Sequence, residues 1–227
     1  MGRGLALRWA LMHEVWLGSR RLEKAQAVAR EYEQVARGFY EDRMKGSIRG
    51  ALNPDVPQLV DVVVLTLPAR HALETVKQIK DRLTPQHVII SVIVPMMRQG
   101  KLFTHSPVIS GGTAVVDKSA AELVAEEVGN IPVVSAFQTV PAAYLGDIDS
   151  VLNVDVLLSG DDEHALQVVA KLAQEIPNLR ALRVGPLSES RFVESITPLL
   201  LNAAVLNNLK DPSIRIVPWT PSDFTKE

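Results

Sequence analysis

The residues most able to do chemistry in this 227-residue chain form the turn Gly18-Ser19-Arg20-Arg21. The turn ends a short apolar strand candidate, Glu14 to Gly18, and precedes a helical pattern. In a dinucleotide-binding βαβ unit this position carries a carboxylate that holds the ribose hydroxyls of NAD. Here a hydroxyl and two guanidinium groups replace it, a set suited to a 2′-phosphate, because arginine gives charge-assisted, often bidentate contacts to phosphate oxygens. Lys24, one helical turn further on, adds a point charge. Taken alone, the same residues also suit a plain helix start, with Ser19 as N-cap and solvated arginines. Gly2-Arg3-Gly4 opens the chain ahead of an amphipathic helix with Leu5, Trp9 and Met12 on one face. Gly2 fits the third glycine of a G-x-G-x-x-G turn, although no strand and no first two glycines stand before it. The chain contains no cysteine, which excludes disulfides, thiolate metal sites and cysteine nucleophiles. His71, His105 and His164 lack metal-ligand spacing, so no metal site is expected, and each is read as a solvated or core histidine.

Strands and helices must position these groups. Val60 to Leu67 is a largely β-branched run stopped by Pro68, the pattern of a parallel strand covered on both faces. Helical segments at Glu23–Gly38, His71–Leu83, Lys118–Val128 and Glu163–Glu175 alternate with strand candidates at Ser47–Ala51, His87–Val94, Pro132–Phe137, Asp155–Gly160 and Leu179–Gly185. Ser106 to Thr113 reads as an exposed loop. Beyond Gly185-Pro186 the pattern becomes one long apolar helix, Ser188 to Leu209, interrupted at Pro198, followed by a short strand candidate at Ser213 to Val217. The fold class expected is α/β: a Rossmann-like, doubly wound, mostly parallel sheet with a small C-terminal helical unit. Residues 1–185 form the NADP-binding part and residues 186–227 a helix-plus-strand unit that completes the cleft.

A net charge of −2 with 22% charged residues offers none of the excess base that marks a nucleic-acid surface. The longest mostly apolar run, Val88 to Met97, is too short for a membrane span, and no signal peptide is visible, so a cytoplasmic protein is expected.

These residues resemble the NADPH-dependent coenzyme F420 reductases over almost the whole chain. The likeness rests on Gly2-Arg3-Gly4-Leu5-Ala6-Leu7-Arg8, Gly18-Ser19-Arg20-Arg21 with Glu23-Lys24-Ala25, Val64-Leu65-Thr66-Leu67-Pro68, Ser135 to Ala143, and Gly160-Asp161-Asp162. Its most specific block is Gly185-Pro186-Leu187-Ser188-Glu189-Ser190-Arg191-Phe192-Val193-Glu194-Ser195-Ile196-Thr197-Pro198-Leu199. The resemblance implies hydride transfer between NADP(H) and the deazaflavin F420, with the two rings stacked in a cleft. Such a transfer needs positioning and a dry pocket rather than an acid–base pair, and no tight His/Asp/Glu cluster appears here. It further implies that Ser19, Arg20 and Lys24 hold the 2′-phosphate and that Leu67, Val94 and Ala142 line the nicotinamide side. Gln138, Val140, Arg191, Ser195 and Thr197 would contact the deazaflavin, and a homo-oligomer, a homodimer in the simplest case, is expected. Arg191 and Ser195 are spaced to share one helical face, while Pro198 biases Thr197 away from helical geometry.

The chain departs from the family pattern at several points. Gln138 stands where a histidine is expected, the turn Met12-His13 is one residue shorter and lacks a glycine, and Ser106 to Val116 is longer. Most important, the central first strand of the 3-2-1-4-5-6 order is missing, as if the natural protein began about one strand and its turn earlier. The strands at Glu14–Gly18 and Asp61–Leu67 must then close up, be bridged by another segment, or leave a gap. Two other functions remain open on the residues alone. One is a different NADP-dependent reductase, of the pyrroline-5-carboxylate reductase or 6-phosphogluconate dehydrogenase type. The other is an inactive nucleotide-binding remnant.

Overall fold

The computed structural model describes residues 1–106, 108–110, 113–115 and 117–218. Along the chain run α1 (Gly2–Trp9), β1 (Glu14–Ser19), α2 (Leu22–Tyr40), β2 (Ser47–Leu52), β3 (Val62–Leu65), α3 (Ala72–Ile79) and β4 (Val88–Ser91). Two hairpins follow, β5 (Met96–Gln99) with β6 (Leu102–His105) and β7 (Val108–Ser110) with β8 (Thr113–Val115). Then come α4 (Ala120–Val128), β9 (Val133–Ser135), α5 (Ala142–Gly146), β10 (Val154–Gly160), α6 (Glu163–Gln174), β11 (Leu179–Gly185) and α7 (Ser190–Asn207).

Five strands form one sheet in the order β11-β10-β9-β4-β3, parallel throughout except where β9 meets β10. Every residue of β4 and of β10 is buried, which is why these strands read as continuous apolar runs rather than alternating ones. Leu5, Trp9, Leu166 and Val169 pack on one face of this sheet against Ile90, Val134 and Val156, whereas Val76, Ile79 and Val124 pack on the other against Val63, Ile89 and Val133. Helices on both faces make the sheet doubly wound. None of the described helices is long and apolar enough to cross a membrane.

β1 and β2 pair in parallel as a separate ribbon, held by Ala29, Ala36 and Tyr40 of α2 against Ile48. No ladder joins β1 to β3. The two strands do not close up; a cleft of about 830 Å³ runs between their facing edges.

Other expectations need correction. α7 is continuous through Pro198, so Thr197 is helical, not extended. Proline costs the helix one backbone bond, and hydrogen bonds from Thr197 and Asn202 to neighbouring elements flank the defect. Ser213 to Val217 joins no strand ladder; its backbone is held instead by the Asp155 N–H on the Ile214 carbonyl (3.0 Å) and by the Ile216 N–H on Asp155 Oδ2 (2.6 Å). The stretch read as a loop from Ser106 contains the β7–β8 hairpin, while Pro107, Gly111, Gly112 and Val116 lie outside the described residues.

Candidate active site

The carboxyl ends of β3, β4 and β9 stand side by side and are tied together past the ladder. The Val92 N–H bonds the Leu65 carbonyl at 3.2 Å, and the Ala136 N–H bonds the Ser91 carbonyl at 3.1 Å. In an open α/β sheet this edge is where ligands bind. α1 opens onto it from the far side and is fixed there by Arg8, which is 9% exposed. Its guanidinium donates to the carbonyls of Leu145 (3.0 Å), Tyr144 (3.2 Å), Asp147 (2.9 Å) and Ser150 (2.9 Å) at the end of α5. Burial lowers the Arg8 pKa, opposed by Tyr40 and Asp147. Gly4 permits the close approach of α1 to α5, since a Cβ there would lie 2.6 Å from the Leu145 carbonyl carbon.

The cleft between β1 and β3 ends at this edge. Gly2, Ser19, Arg20, Thr66, Leu67 and Pro68 line that end, and Trp9, His13 and Leu172 the opposite one. A side chain at Gly2 would meet Thr66 Oγ1 at 2.8 Å, so glycine keeps the start of α1 open. Ser19 Oγ accepts the Arg21 N–H at 3.3 Å. Arg20 and Lys24 are exposed and have no hydrogen bond or ion pair among the described residues. No carboxylate stands beside Ser19 and Arg20 in the turn, and Lys24 lies on the first turn of α2 outside the cleft lining. The geometry therefore brings together Gly2, Ser19, Arg20 and Leu67; it leaves Lys24 nearby on the surface.

A second cluster lies beyond β9. Phe137 is wholly buried with φ +70°, a strained backbone for a non-glycine residue, and its ring stacks edge-on against Trp9 at 5.8 Å. This bend turns Gln138 inward, where Nε2 donates to the Ser91 carbonyl (2.9 Å) and to Ser135 Oγ (2.7 Å). Ser91, Ser135 and Ser159 occupy one row across β4, β9 and β10 and are fully buried. Gln138 Oε1, Ser91 Oγ, Thr139 Oγ1 and Ser159 Oγ are buried there without a protein partner. Such orphaned acceptors and hydroxyls in one place offer hydrogen bonds to a ligand or ordered water. Thr197 Oγ1 donates to the Gln138 carbonyl at 2.9 Å, which brings α7 onto this loop. Val140 is buried, Val94 half-buried in the segment after β4, and Ala142 exposed at the start of α5. Ser195 donates to the Arg191 carbonyl of its own helix (2.6 Å), and the exposed Arg191 guanidinium sits 4.7 Å from the Phe192 ring centroid. Thus Gln138 and Thr197 meet directly, whereas the side chains of Arg191 and Ser195 engage only α7 itself.

Sequence reasoning singled out neither Arg8, Phe137 nor Glu194 for a role. Only Arg8 carried a usable signal, a charge within an apolar amphipathic stretch; the positive φ of Phe137 and the burial of Glu194 depend on contacts far away in the chain.

A family described as "NADP oxidoreductase coenzyme F420-dependent" matches residues 1–95. The chain is 35% identical to the F420-dependent NADP reductase of Methanocaldococcus jannaschii, over 95% of this chain and 92% of that protein. It is 34% identical to the F420-dependent NADP reductase of Methanothermobacter thermautotrophicus, over 95% of this chain and 89% of that one. Among solved structures, a chain from Arthrobacter sp. FB24 described as a "putative f420 dependent nadp-reductase" superposes with a TM-score of 0.75 at 20% identity, covering 95% and 94% of the two chains. Glycerol-3-phosphate dehydrogenase from Coxiella burnetii shares the fold more distantly, with a TM-score of 0.53 at 17% identity over 81% of this chain and half of that one. Together with the carboxylate-free turn at Ser19-Arg20 and the sheet edge built by β3, β4 and β9, these matches establish that the chain belongs to the F420-dependent NADP reductase family.

Proposed function

We propose that this chain is an oxidoreductase that transfers a hydride between NADP(H) and coenzyme F420. The observation that carries this reading is the 34–35% identity, over 95% of the chain, to relatives named for that activity. The residues present suit both groups: Gly2 and the Ser19-Arg20 turn offer an anion-binding rim without a carboxylate, and the orphaned Gln138 Oε1 offers a buried acceptor. When bound, the nicotinamide and the deazaflavin would supply the two ends of the hydride transfer. The protein's own work is placement. Ser19, Arg20 and Lys24 bind the 2′-phosphate, and Leu67, Val94 and Ala142 form the nicotinamide wall. Gln138, Val140, Arg191, Ser195 and Thr197 orient the deazaflavin, the last three from α7. No side chain is assigned a proton transfer; exclusion of water and face-to-face alignment carry the rate.

The part comprising residues 1–185 serves the nucleotide, and residues 186–227 close the deazaflavin side. The working protein is a cytoplasmic homo-oligomer; the apolar stripe Phe192, Leu199 and Leu206 on α7, exposed by 55%, 65% and 69%, supports the association of copies. Mixing the protein with NADPH and oxidised F420 should bleach the F420 absorbance. NADPH-dependent reduction of a small imine or keto acid without any F420 bleaching would overturn the reading.

A further inference from the structure

Glu194 is a wholly buried carboxylate on α7, outside the set assigned to ligand contact. A helix start leaves four backbone N–H groups without intrahelical partners, and at α4 all four are satisfied. Ser119 and Glu122 form a reciprocal box: the Glu122 N–H donates to Ser119 Oγ (2.9 Å) and the Ser119 N–H to Glu122 Oε2 (2.7 Å). The remaining two donors, on Ala120 and Ala121, are taken by Glu194 Oε2 (2.9 Å) and Oε1 (3.1 Å). Ser190, one turn earlier on α7, lies 2.6 Å from Ser119 Oγ and donates to the Leu187 carbonyl at 2.5 Å. α7 thus caps α4 across a dry seam, with residues more than 70 positions apart in the chain.

Two weaker ties hold α7 elsewhere. Thr197 makes its single bond to the Gln138 carbonyl, and Asn202 exchanges two bonds with the Phe103 backbone of β6 at 2.8 and 2.7 Å. Both are only partly buried, so water competes for them; the Glu194 seam is closed to water, and leaving its donors unpaired is costly. We propose that Glu194 is a positioning residue for the deazaflavin half of the site: by accepting both Ala120 and Ala121 N–H groups it seats α7, and so keeps Thr197 against the Gln138 loop. The proposal deepens the F420 reading of α7 and rests on it.

Glu194→Gln, assayed above about pH 8 where the carboxyl is ionised, is the sharp test, because the amide replaces one of two acceptor oxygens by an NH2 group that faces a backbone N–H. In the folded variant of the whole chain, the KM for F420 should rise about tenfold, the equivalent of roughly one lost buried hydrogen bond, while NADPH affinity measured by fluorescence titration changes less than about twofold. Equal losses of F420 and NADPH binding, or none, would overturn it. Where Glu194→Gln does not fold, Ser190→Ala opens the same seam more gently and should raise the F420 KM about threefold without moving NADPH affinity. Should wild-type protein never bleach F420, the F420 reading fails on its own. Hydrogen–deuterium exchange then decides the seating claim: faster exchange across Ser190–Asn207 and at Ala120–Ala121 in the variant supports it, and unchanged protection refutes it.

Discussion

Arg20, at the rim of the β1–β3 cleft, and Lys24, on the surface beside it, are exposed and unpaired among the described residues, whereas two carboxyl groups of the C-terminal half, Asp155 and Glu194, are buried and hydrogen-bonded. Asp155 is fully buried and takes two bonds from Arg180, at 2.8 and 2.6 Å, and one from the Ile216 N–H at 2.6 Å. Glu194 takes two from α4. The contrast separates two uses of charge. An exposed cation keeps its hydration and its freedom until an anion arrives, so it adds to ligand affinity and little to stability. A buried carboxylate has already lost its water, and every hydrogen bond it makes fixes one element against another. Substitutions in the two regions should therefore move different measurements.

The largest effect is expected at Asp155. Asp155→Ala removes the carboxylate that neutralises the buried Arg180 guanidinium, which keeps its bonds to the Ile216 and Pro218 carbonyls, and takes the acceptor from the Ile216 N–H; breaking a buried pair in this way costs about 3–5 kcal/mol. Chemical denaturation should show that loss, while the NADP preference of whatever protein still folds stays the same. A melting transition equal to wild type would show that the C-terminal segment does not lean on this pair. Acid should act in the same direction. Burial works against the Asp155 charge, but the Arg180 and Ile216 hydrogen bonds and the Arg180 charge hold its pKa below the usual value. The stabilisation is then complete above the unfolded carboxylate range and fades as pH falls through the lowered pKa.

Glu194 has the opposite sign. Burial pushes its pKa up to about 8, against the two α4 hydrogen bonds, with the facing Glu122 charge adding to the rise. Between its usual value and 8 the folded chain holds a proton that the unfolded chain has released, so this group's contribution to stability falls as pH rises, by up to about 1.4 kcal/mol per pH unit. Stability of wild type minus that of Glu194→Gln, followed from pH 5 to 8, should decline accordingly. A difference that stays flat would mean that the carboxylate is already ionised at neutral pH.

At the rim, Arg20→Ala should cost about 1.5–3 kcal/mol of NADPH affinity, the range for a hydrogen bond to a charged group, with NADH binding and thermal stability nearly unchanged. Equal losses for NADPH and NADH would remove the 2′-phosphate role.

The same contrast explains what the sequence could tell. The Ser19-Arg20-Arg21 turn, the β-branched run ending at Pro68 and the helix of α2 are local patterns, and each lies in the structure close to where periodicity and turn chemistry put it. That the pattern holds no strand between β1 and β3 was also legible, since βαβ order demands one there; which of the three outcomes followed was not. The missed features are non-local. Pro198 reads as a helix break, yet contacts made by Thr197 and Asn202 with β6 and the Gln138 loop carry α7 through it. Met96 to His105 offers no strong hairpin signal, but α7 packs on it and β5 pairs with β6. Phe137 has a left-handed backbone, and its ring rests edge-on against Trp9, over a hundred residues away.

Lys24 gives the smallest effect and the finest distinction. It lies outside the cleft lining, so it reaches a 2′-phosphate only as a flexible point charge across exposed surface, where ion pairs are weak and screened. Lys24→Ala should weaken NADPH binding about two- to fivefold at low salt and scarcely at all at several hundred millimolar, where the Debye length falls well below 10 Å. Arg20, at the rim itself, should keep most of its contribution at high salt, because a direct guanidinium–phosphate contact survives screening better than attraction at a distance. Titrations of both variants at two salt concentrations therefore separate contact from field. A Lys24→Ala loss that persists at high salt would place the ammonium in direct contact with the phosphate, and would require the first turn of α2 to move toward the cleft when the nucleotide binds.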